Sequence, residues 1–286
     1  MSHFTIAGLQ LELNNQNNIY LIQKELELAK LRFPWVDMFL VGELATFGSS
    51  PANAQQLPGE AEKIYCKIAK ALDVWLIPGS LFEQRDGKVF NTTPVINPEG
   101  EVVSRYQKMF PFLPYERGVD AGDQFCVFDV PDVGRFGVSI CYDMWFPETT
   151  RTLAWMGAEV ILHPTMTGTI DRDLELSIAR TNAAINQCYL FDINVAGRLG
   201  NGQSIVVGPA GEIIHQAGER HEVIPVEIDM QHVRRTRERG MMGLGQTLKS
   251  FRDSEVVFPP YLEGQSKSEA LRKLGPLEMP ECSRKK

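Results

Sequence analysis

The feature that most limits how this chain can fold is a pattern of punctuation that occurs twice. Apolar runs of strand length alternate with longer segments whose apolar residues recur at helical spacing, the pattern of βαβ units. In the first half the spacing predicts a strand over 4–11, a helix over 17–31, a strand over 38–42, a helix over 60–71 and a strand over 74–79. A hairpin of 89–96 and 101–107 then turns at Asn97-Pro98-Glu99-Gly100. The second half predicts the same order: strand 135–140, helix 147–156, strand 159–163, helix 171–187, strand 189–195, and a hairpin turning at Gly208-Pro209-Ala210-Gly211. Pro98-Glu99-Gly100-Glu101-Val102 is echoed by Pro209-Ala210-Gly211-Glu212-Ile213, so the halves are expected to be similar. Each half supplies one sheet. A sheet covers one face with helices and the other with something apolar, and the simplest arrangement stacks the two sheets with helices outside. The expectation is an α/β fold, a four-layer αββα sandwich built of two similar halves. From about residue 250 the chain becomes rich in Pro, Ser, Lys and Glu, which predicts an extended arm and, over 261–286, an extended or disordered tail.

Composition narrows the function classes. The chain has 286 residues, 43% hydrophobic and 23% charged, enough apolar material for a large core. A net charge of −7 argues against nucleic acid or an anionic membrane as partner, since both reward a basic surface. The one basic run, Arg234-Arg235-Thr236-Arg237-Glu238-Arg239, reads as a solvated or subunit-contacting face. No apolar run approaches the ~18 residues of a membrane span, and the start of the chain lacks the pattern of an export signal. Five scattered cysteines, Cys66, Cys126, Cys141, Cys188 and Cys282, fit free thiols in a reducing cytoplasm. There is no Walker lysine loop, no GxGxxG after a strand and no HExxH, so neither a metal nor a cofactor is expected.

Three polar residues stand at the ends of apolar strands. Phe136-Gly137-Val138-Ser139-Ile140 ends on Cys141, and Tyr142-Asp143-Met144-Trp145-Phe146-Pro147-Glu148 then turns into a helix. Such a turn presents a side chain at the carboxyl end of a sheet beside free backbone N–H groups. Taken alone, a cysteine there is more often a buried structural thiol. Met38-Phe39-Leu40-Val41-Gly42-Glu43 places a carboxylate after an equally apolar run, either as a desolvated general base or as a strand end emerging into water. Lys108 closes the strand Val102–Gln107, where a lone lysine is ordinarily solvated. The loop after it, Met109-Phe110-Pro111-Phe112-Leu113-Pro114-Tyr115-Glu116, makes a better pocket wall than a solvating surface, and its Glu116 can hold the ammonium charged.

Together these residues resemble the carbon–nitrogen hydrolase (nitrilase) superfamily, whose hallmark is a Glu–Lys–Cys set in this chain order. Gly42-Glu43, Tyr106-Gln107-Lys108 and Ile140-Cys141-Tyr142-Asp143 with Phe146-Pro147-Glu148-Thr149-Thr150-Arg151 are similar to its three signature segments. Later echoes are Gly157-Ala158-Glu159, His163-Pro164-Thr165, Asn194-Val195-Ala196-Gly197 and Pro209-Ala210-Gly211-Glu212. The resemblance implies a catalytic domain over 1–260 and the same αββα fold. It implies Cys141 as nucleophile, Glu43 as proton carrier, Lys108 and the Tyr142 backbone N–H as oxyanion donors, and Glu116 as a second glutamate positioning Lys108 or substrate. The stretch from Lys108 to Glu116 is similar to the aliphatic amidase and formamidase branch, although Tyr142-Asp143 departs from the Asp-Asp of aliphatic amidases. The implied reaction is hydrolysis of a small linear amide with release of ammonia. Alternatives are an N-carbamoyl amide hydrolase using the same residues and a catalytically silent module acting through oligomer contacts. Motif positions suggest Phe112, Tyr115, Trp145, Met166 and Asn194 as substrate-lining residues, a mostly apolar set that favours a short neutral or weakly polar acyl chain over a dicarboxylate. The resemblance further implies a homodimer or higher homo-oligomer.

Overall fold

Strand β1 (Phe4–Gln10) is buried along its whole length, which is why it reads as an unbroken apolar run rather than an alternating one. A short β2 (Glu12–Leu13) leads to α1 (Ile19–Arg32), then β3 (Met38–Val41), α2 (Glu60–Leu72), β4 (Trp75–Ile77), β5 (Leu81–Arg85), β6 (Lys88–Ile96) and β7 (Val102–Gln107). The second half runs β8 (Cys126–Val130), β9 (Gly134–Val138), α3 (Pro147–Trp155), β10 (Val160–Thr165), α4 (Arg172–Asn186), β11 (Tyr189–Asn194), β12 (Ala196–Gly197), β13 (Ile205–Val207) and β14 (Ile213–Gln216). It closes with β15 (Glu222–Ile228), α5 (Met230–Arg239), α6 (Thr247–Arg252) and a short α7 (Glu269–Arg272). The structure is a computed structural model that describes residues 4–262 and 268–279. The tail expected over 261–286 therefore lies partly outside the described residues, as does Cys282.

The two halves have matching sheets. In the first, β1, β3 and β4 are parallel, followed by antiparallel β6 and β7, with β15 antiparallel on the far edge. In the second, β9, β10 and β11 are parallel, followed by antiparallel β13 and β14, with β8 antiparallel on the far edge. Between the sheets lies an apolar layer including Phe4, Ile6, Met38 and Leu40 from one and Phe136, Val138, Leu162 and Phe191 from the other. Ile22, Leu26, Tyr65 and Ala69 seat α1 and α2 on the outer face of the first sheet. Leu153, Leu176, Ala179 and Ala183 do the same for α3 and α4 on the second. The layers are α, β, β and α, as the periodicity predicts.

Three strands of the two main sheets escape the sequence reading. β15 carries Pro225, which argues against a central strand. It is tolerated because β15 is an edge strand whose partner is β1 alone. β8 is a five-residue edge strand with Cys126, Phe128 and Val130 buried, but the apolar Val127 between them hides the alternation in the sequence. β5 pairs with β6 through Asp86-Gly87, whose φ angles of 53° and 77° are both positive, as a two-residue hairpin turn of the primed type requires.

The arm after α5 folds back on α3. Phe251 lies edge-on to Trp155 at 5.6 Å, Phe258 stacks on Phe251 at 5.9 Å, and the Tyr261 hydroxyl donates to Glu148 at 2.8 Å. The arm that the sequence predicts to be extended thus sets its aromatic rings against α3.

Candidate active site

The sheets cross so closely that Gly42 is needed where β3 ends. A Cβ there would stand 2.6 Å from Val195 Cγ1 and 3.0 Å from both Thr165 O and Val195 N. The approach lets the Glu43 N–H donate to Thr165 O of the other sheet at 3.1 Å, fixing the carboxylate-bearing residue against the half that carries Cys141. Glu43 is 1% exposed, Lys108 1% and Cys141 8%.

Lys108 is held by two carboxylates. Its Nζ lies 2.8 Å from Glu43 Oε1 and 3.0 Å from Glu116 Oε2. Burial opposes its charge, but Glu43, Cys141 and Glu116 around it overturn that and push its pKa well above the ordinary lysine value, so it is a permanent cation. Glu116 also accepts the backbone N–H of Phe112, which ties the aromatic loop to the lysine. The Asn91 side-chain amide donates to Glu43 Oε1 at 2.8 Å, while the Asn91 carbonyl accepts the Lys108 N–H at 2.9 Å. The Lys108 and Asn91 donors therefore both fall on Oε1. Burial raises the Glu43 pKa against the pull of Lys108, and a hydrogen bond from Cys141 opposes the rise.

Cys141 opens a 3₁₀ turn (Cys141–Trp145) with φ of +48°, a strained value for a residue with a Cβ. Two buried groups hold that turn. Asp143 accepts the Ile140 N–H at 2.8 Å, the Tyr106 hydroxyl at 2.6 Å and the Phe110 N–H at 2.9 Å. Burial pushes the Asp143 carboxyl up to about 6 despite those three donors, so it is an anion at neutral pH. His163 spans Ser139 Oγ, 2.7 Å from Nδ1, and the Cys141 carbonyl, 3.1 Å from Nε2. Burial lowers His163 to about 4, so the ring is neutral. Nε2 must then carry the hydrogen that it donates to Cys141 O, leaving Nδ1 to accept from Ser139. Burial and then the charge of Glu43 raise the thiol pKa well above its ordinary value, with Lys108 opposing and the Met166 N–H donating to sulfur. Burial and the charge of Glu43 thus favour the protonated thiol, while the Lys108 ammonium 2.8 Å away favours the carboxylate form of Glu43 that receives its proton.

The residues expected to line substrate divide into two sets. Phe112 stacks on Tyr115 at 4.9 Å and meets the edge of Tyr142 at 5.0 Å; Tyr142 in turn lies 6.1 Å from Trp145. These four rings form a continuous aromatic wall that includes Tyr142, the residue next to Cys141, with Tyr115 59% exposed at its rim. The Met166 side chain packs into two apolar clusters, while its backbone reaches the sulfur. Asn194 does not fit the expected substrate role. Its Oδ1 accepts the Thr167 N–H at 2.8 Å and its Nδ2 donates to Thr167 O, Gly202 O and Asn201 Oδ1, so its polar atoms are occupied in tying two loops together. Asn91, Asp143, His163, Thr167 and Glu175 have no role assigned from the sequence. The available signals were three consecutive polar residues, Asn91-Thr92-Thr93, inside a buried strand, and the motif positions of Asp143 and His163. Among the described residues no cluster of three or more His, Cys, Asp or Glu side chains could hold a metal ion, and no helix is long and apolar enough to cross a membrane.

The carbon–nitrogen hydrolase family model matches residues 5–238, which span both sheets and every residue of this cluster. The chain belongs to the carbon–nitrogen hydrolase family. Omega-amidase NIT2-B of Xenopus laevis is 32% identical over 207 residues, covering 66% of this chain and 74% of that one. Human omega-amidase NIT2 is 30% identical over the same shares. Among solved structures, Saccharomyces cerevisiae Nit3, a member of branch 10 of the nitrilase superfamily, superposes with a TM-score of 0.77 at 26% identity, covering 82% of this chain and 93% of that one. A mutant amidase from Nesterenkonia sp. AN1 superposes with a TM-score of 0.74 at 25% identity over 81% and 92%. This carbon–nitrogen hydrolase is thus an amidase-like member of the nitrilase superfamily, an enzyme of amide C–N hydrolysis.

Proposed function

We propose that this chain hydrolyses a small linear amide through a thioester on Cys141, releasing ammonia. The observation that carries the reading is the buried Lys108 ammonium bridging Glu43 and Glu116 beside a protonated thiol. As sulfur attacks the carbonyl carbon, the S–H proton passes to Glu43 and the carbonyl oxygen takes the negative charge. Lys108 and the Tyr142 N–H stabilise that oxyanion, a role in which loss of one donor typically costs about 10²–10³ in kcat. Glu43 then protonates the departing nitrogen, the C–N bond breaks and ammonia leaves, because an amide anion is too basic to leave unaided. Water next attacks the thioester, giving its proton to Glu43, and the acid departs as Glu43 returns that proton to sulfur. The mutant Nesterenkonia amidase carries the acetamide moiety of fluoroacetamide covalently on its active-site cysteine, which supports Cys141 sulfur as the nucleophile.

The wall of Phe112, Tyr142 and Trp145 favours a short neutral acyl group. The two cations buried nearby, Lys108 and Arg172, already face two carboxylates each, so neither is free to pair with a second carboxylate on the substrate. The test is a screen of purified enzyme for ammonium release from short aliphatic amides, monoamides of dicarboxylic acids and N-carbamoyl compounds. Preference for short aliphatic amides is expected. Preference for a dicarboxylate monoamide would overturn the acyl assignment, and carbon dioxide among the products would overturn the linear-amide assignment.

A further inference from the structure

Arg172, Glu175 and Asp192 form a second buried carboxylate–guanidinium–carboxylate cluster that none of the steps above uses. Arg172 NH1 lies 3.1 Å from Glu175 Oε2 and 2.8 Å from Asp192 Oδ2, with all three side chains 4% exposed or less. Burying such a set is rarely the most stabilising choice for a fold, so its position asks for another reason. It is built into the site from both ends. Asp192 accepts the Thr165 hydroxyl at 2.6 Å, and the carbonyl of the same Thr165 receives the Glu43 N–H. Glu175 Oε1 accepts the Thr167 hydroxyl at 3.1 Å and the Trp145 indole N–H at 3.3 Å. The Thr167 hydroxyl in turn lies 3.9 Å from Cys141 Sγ.

A hydroxyl has one hydrogen, and an ionised carboxylate only accepts. With its hydrogen directed to Glu175, Thr167 turns a lone pair toward sulfur and is a second acceptor, alternative to Glu43, for the single S–H hydrogen. The backbone that carries the hydroxyl is fixed, because Asn194 binds both the Thr167 N–H and its carbonyl.

We propose that Thr167 and Glu175 are positioning residues that hold the Cys141 side chain in the orientation from which it attacks, with Arg172 and Asp192 anchoring Glu175. The assignment rests on Cys141 being the nucleophile. The charged and titratable groups facing Glu175 are Arg172, Asp192 and Cys141; those facing Cys141 are Glu43, Lys108 and Glu175. Burial, then Glu43, then Glu175 favour the protonated thiol, against Lys108. The arrangement keeps the proton on sulfur until a carbonyl is present to be attacked.

The test uses the full chain carrying Glu175→Gln, Thr167→Val or Thr167→Ser. Alkylation of Cys141 by iodoacetamide is followed across pH by mass spectrometry, alongside kcat and KM for ammonia release, with circular dichroism verifying the fold. Removing the Glu175 charge should move the alkylation profile to lower pH. Thr167→Val should lower kcat roughly tenfold with KM little changed, about the weight of one hydrogen bond, and Thr167→Ser should restore it. A folded Glu175→Gln enzyme with the wild-type alkylation profile, or a Thr167→Val enzyme with wild-type kcat, overturns the proposal. If Glu175→Gln does not fold, the nearly isosteric Thr167 pair decides alone. Alkylation needs no amide, so a shifted profile in a chain that hydrolyses none would uphold the positioning role and sink the substrate reading. Normal wild-type turnover with unaltered variants would do the reverse.

Discussion

Asn91 donates its side-chain amide to the same Glu43 oxygen that receives the Lys108 ammonium, at 2.8 Å in each case. With both donors on Oε1, the other carboxylate oxygen is the one left for the thiol proton. Asn91→Ala removes one of the two bonds that aim the base, and turnover is expected to fall roughly tenfold, the weight of a hydrogen bond to a charged group. Asn91→Asp places a second carboxylate against Glu43 and should be far more damaging. Steady-state kinetics on the two variants, with melting temperatures as the control for folding, checks the ordering Ala above Asp.

Lys108→Ala and Glu43→Gln should fold and should lose most of their turnover, about 10²–10³ for the oxyanion donor and about 10²–10⁴ for the proton carrier. Lys108→Ala leaves Glu43 and Glu116 facing each other without the cation, so its melting temperature should fall further than that of Glu43→Gln. A normal rate in either enzyme would remove that residue from the reaction.

Gly42→Ala should damage activity through geometry alone. The added methyl meets Val195 Cγ1 at 2.6 Å and backbone atoms at 3.0 Å, an overpacking that typically costs about 1–3 kcal/mol. Because the backbone of the next residue is bonded to Thr165, the strain falls on Glu43. A lowered melting temperature together with a lowered kcat is expected; wild-type kcat would show that the site tolerates the shift.

Acid should stop turnover before it unfolds the protein. Asp143 is raised from 3.8 to about 6, so its contribution to stability is fully present below 3.8 and lost as pH rises through 6. His163 is lowered from 6.5 to about 4, so stability present above 6.5 is lost as pH falls toward 4. The two slopes oppose each other between about 4 and 6, whereas protonating Asp143 weakens the acceptor that holds the Cys141 turn. Activity should therefore fall below about pH 6 while far-UV circular dichroism stays constant. A coincident loss of both signals would contradict the assignment.

How much of this is legible in the sequence follows from what each residue signals locally. Glu43, Lys108 and Cys141 stand out because a polar residue ending an apolar strand is locally unusual, and their order carries the family resemblance. The four layers are legible because the parallel strands are buried on both faces and so read as unbroken apolar runs. Thr167 and Glu175 give no such signal. Glu175 lies in the first turn of α4, where a glutamate is ordinarily a solvated residue favoured by the helix dipole, and only the packing of Trp145 and Arg172 against it reveals that it is buried. Asn194 misleads in the opposite sense: its motif position suggests substrate, but its role is to tie loops that are distant in sequence. β15 is hidden by Pro225, which only its edge position makes acceptable.

The central claim is that the acyl group of the amide passes through the Cys141 sulfur, and the most direct measurement is the intact mass of the enzyme during turnover. Wild-type enzyme quenched during turnover of a short aliphatic amide should carry the acyl mass on the peptide containing Cys141, and hydroxylamine added to active wild-type enzyme should yield the corresponding hydroxamate. Wild-type enzyme that releases ammonia yet gives neither adduct nor hydroxamate would contradict the account. So would a hydroxamate that forms equally well with Cys141→Ala.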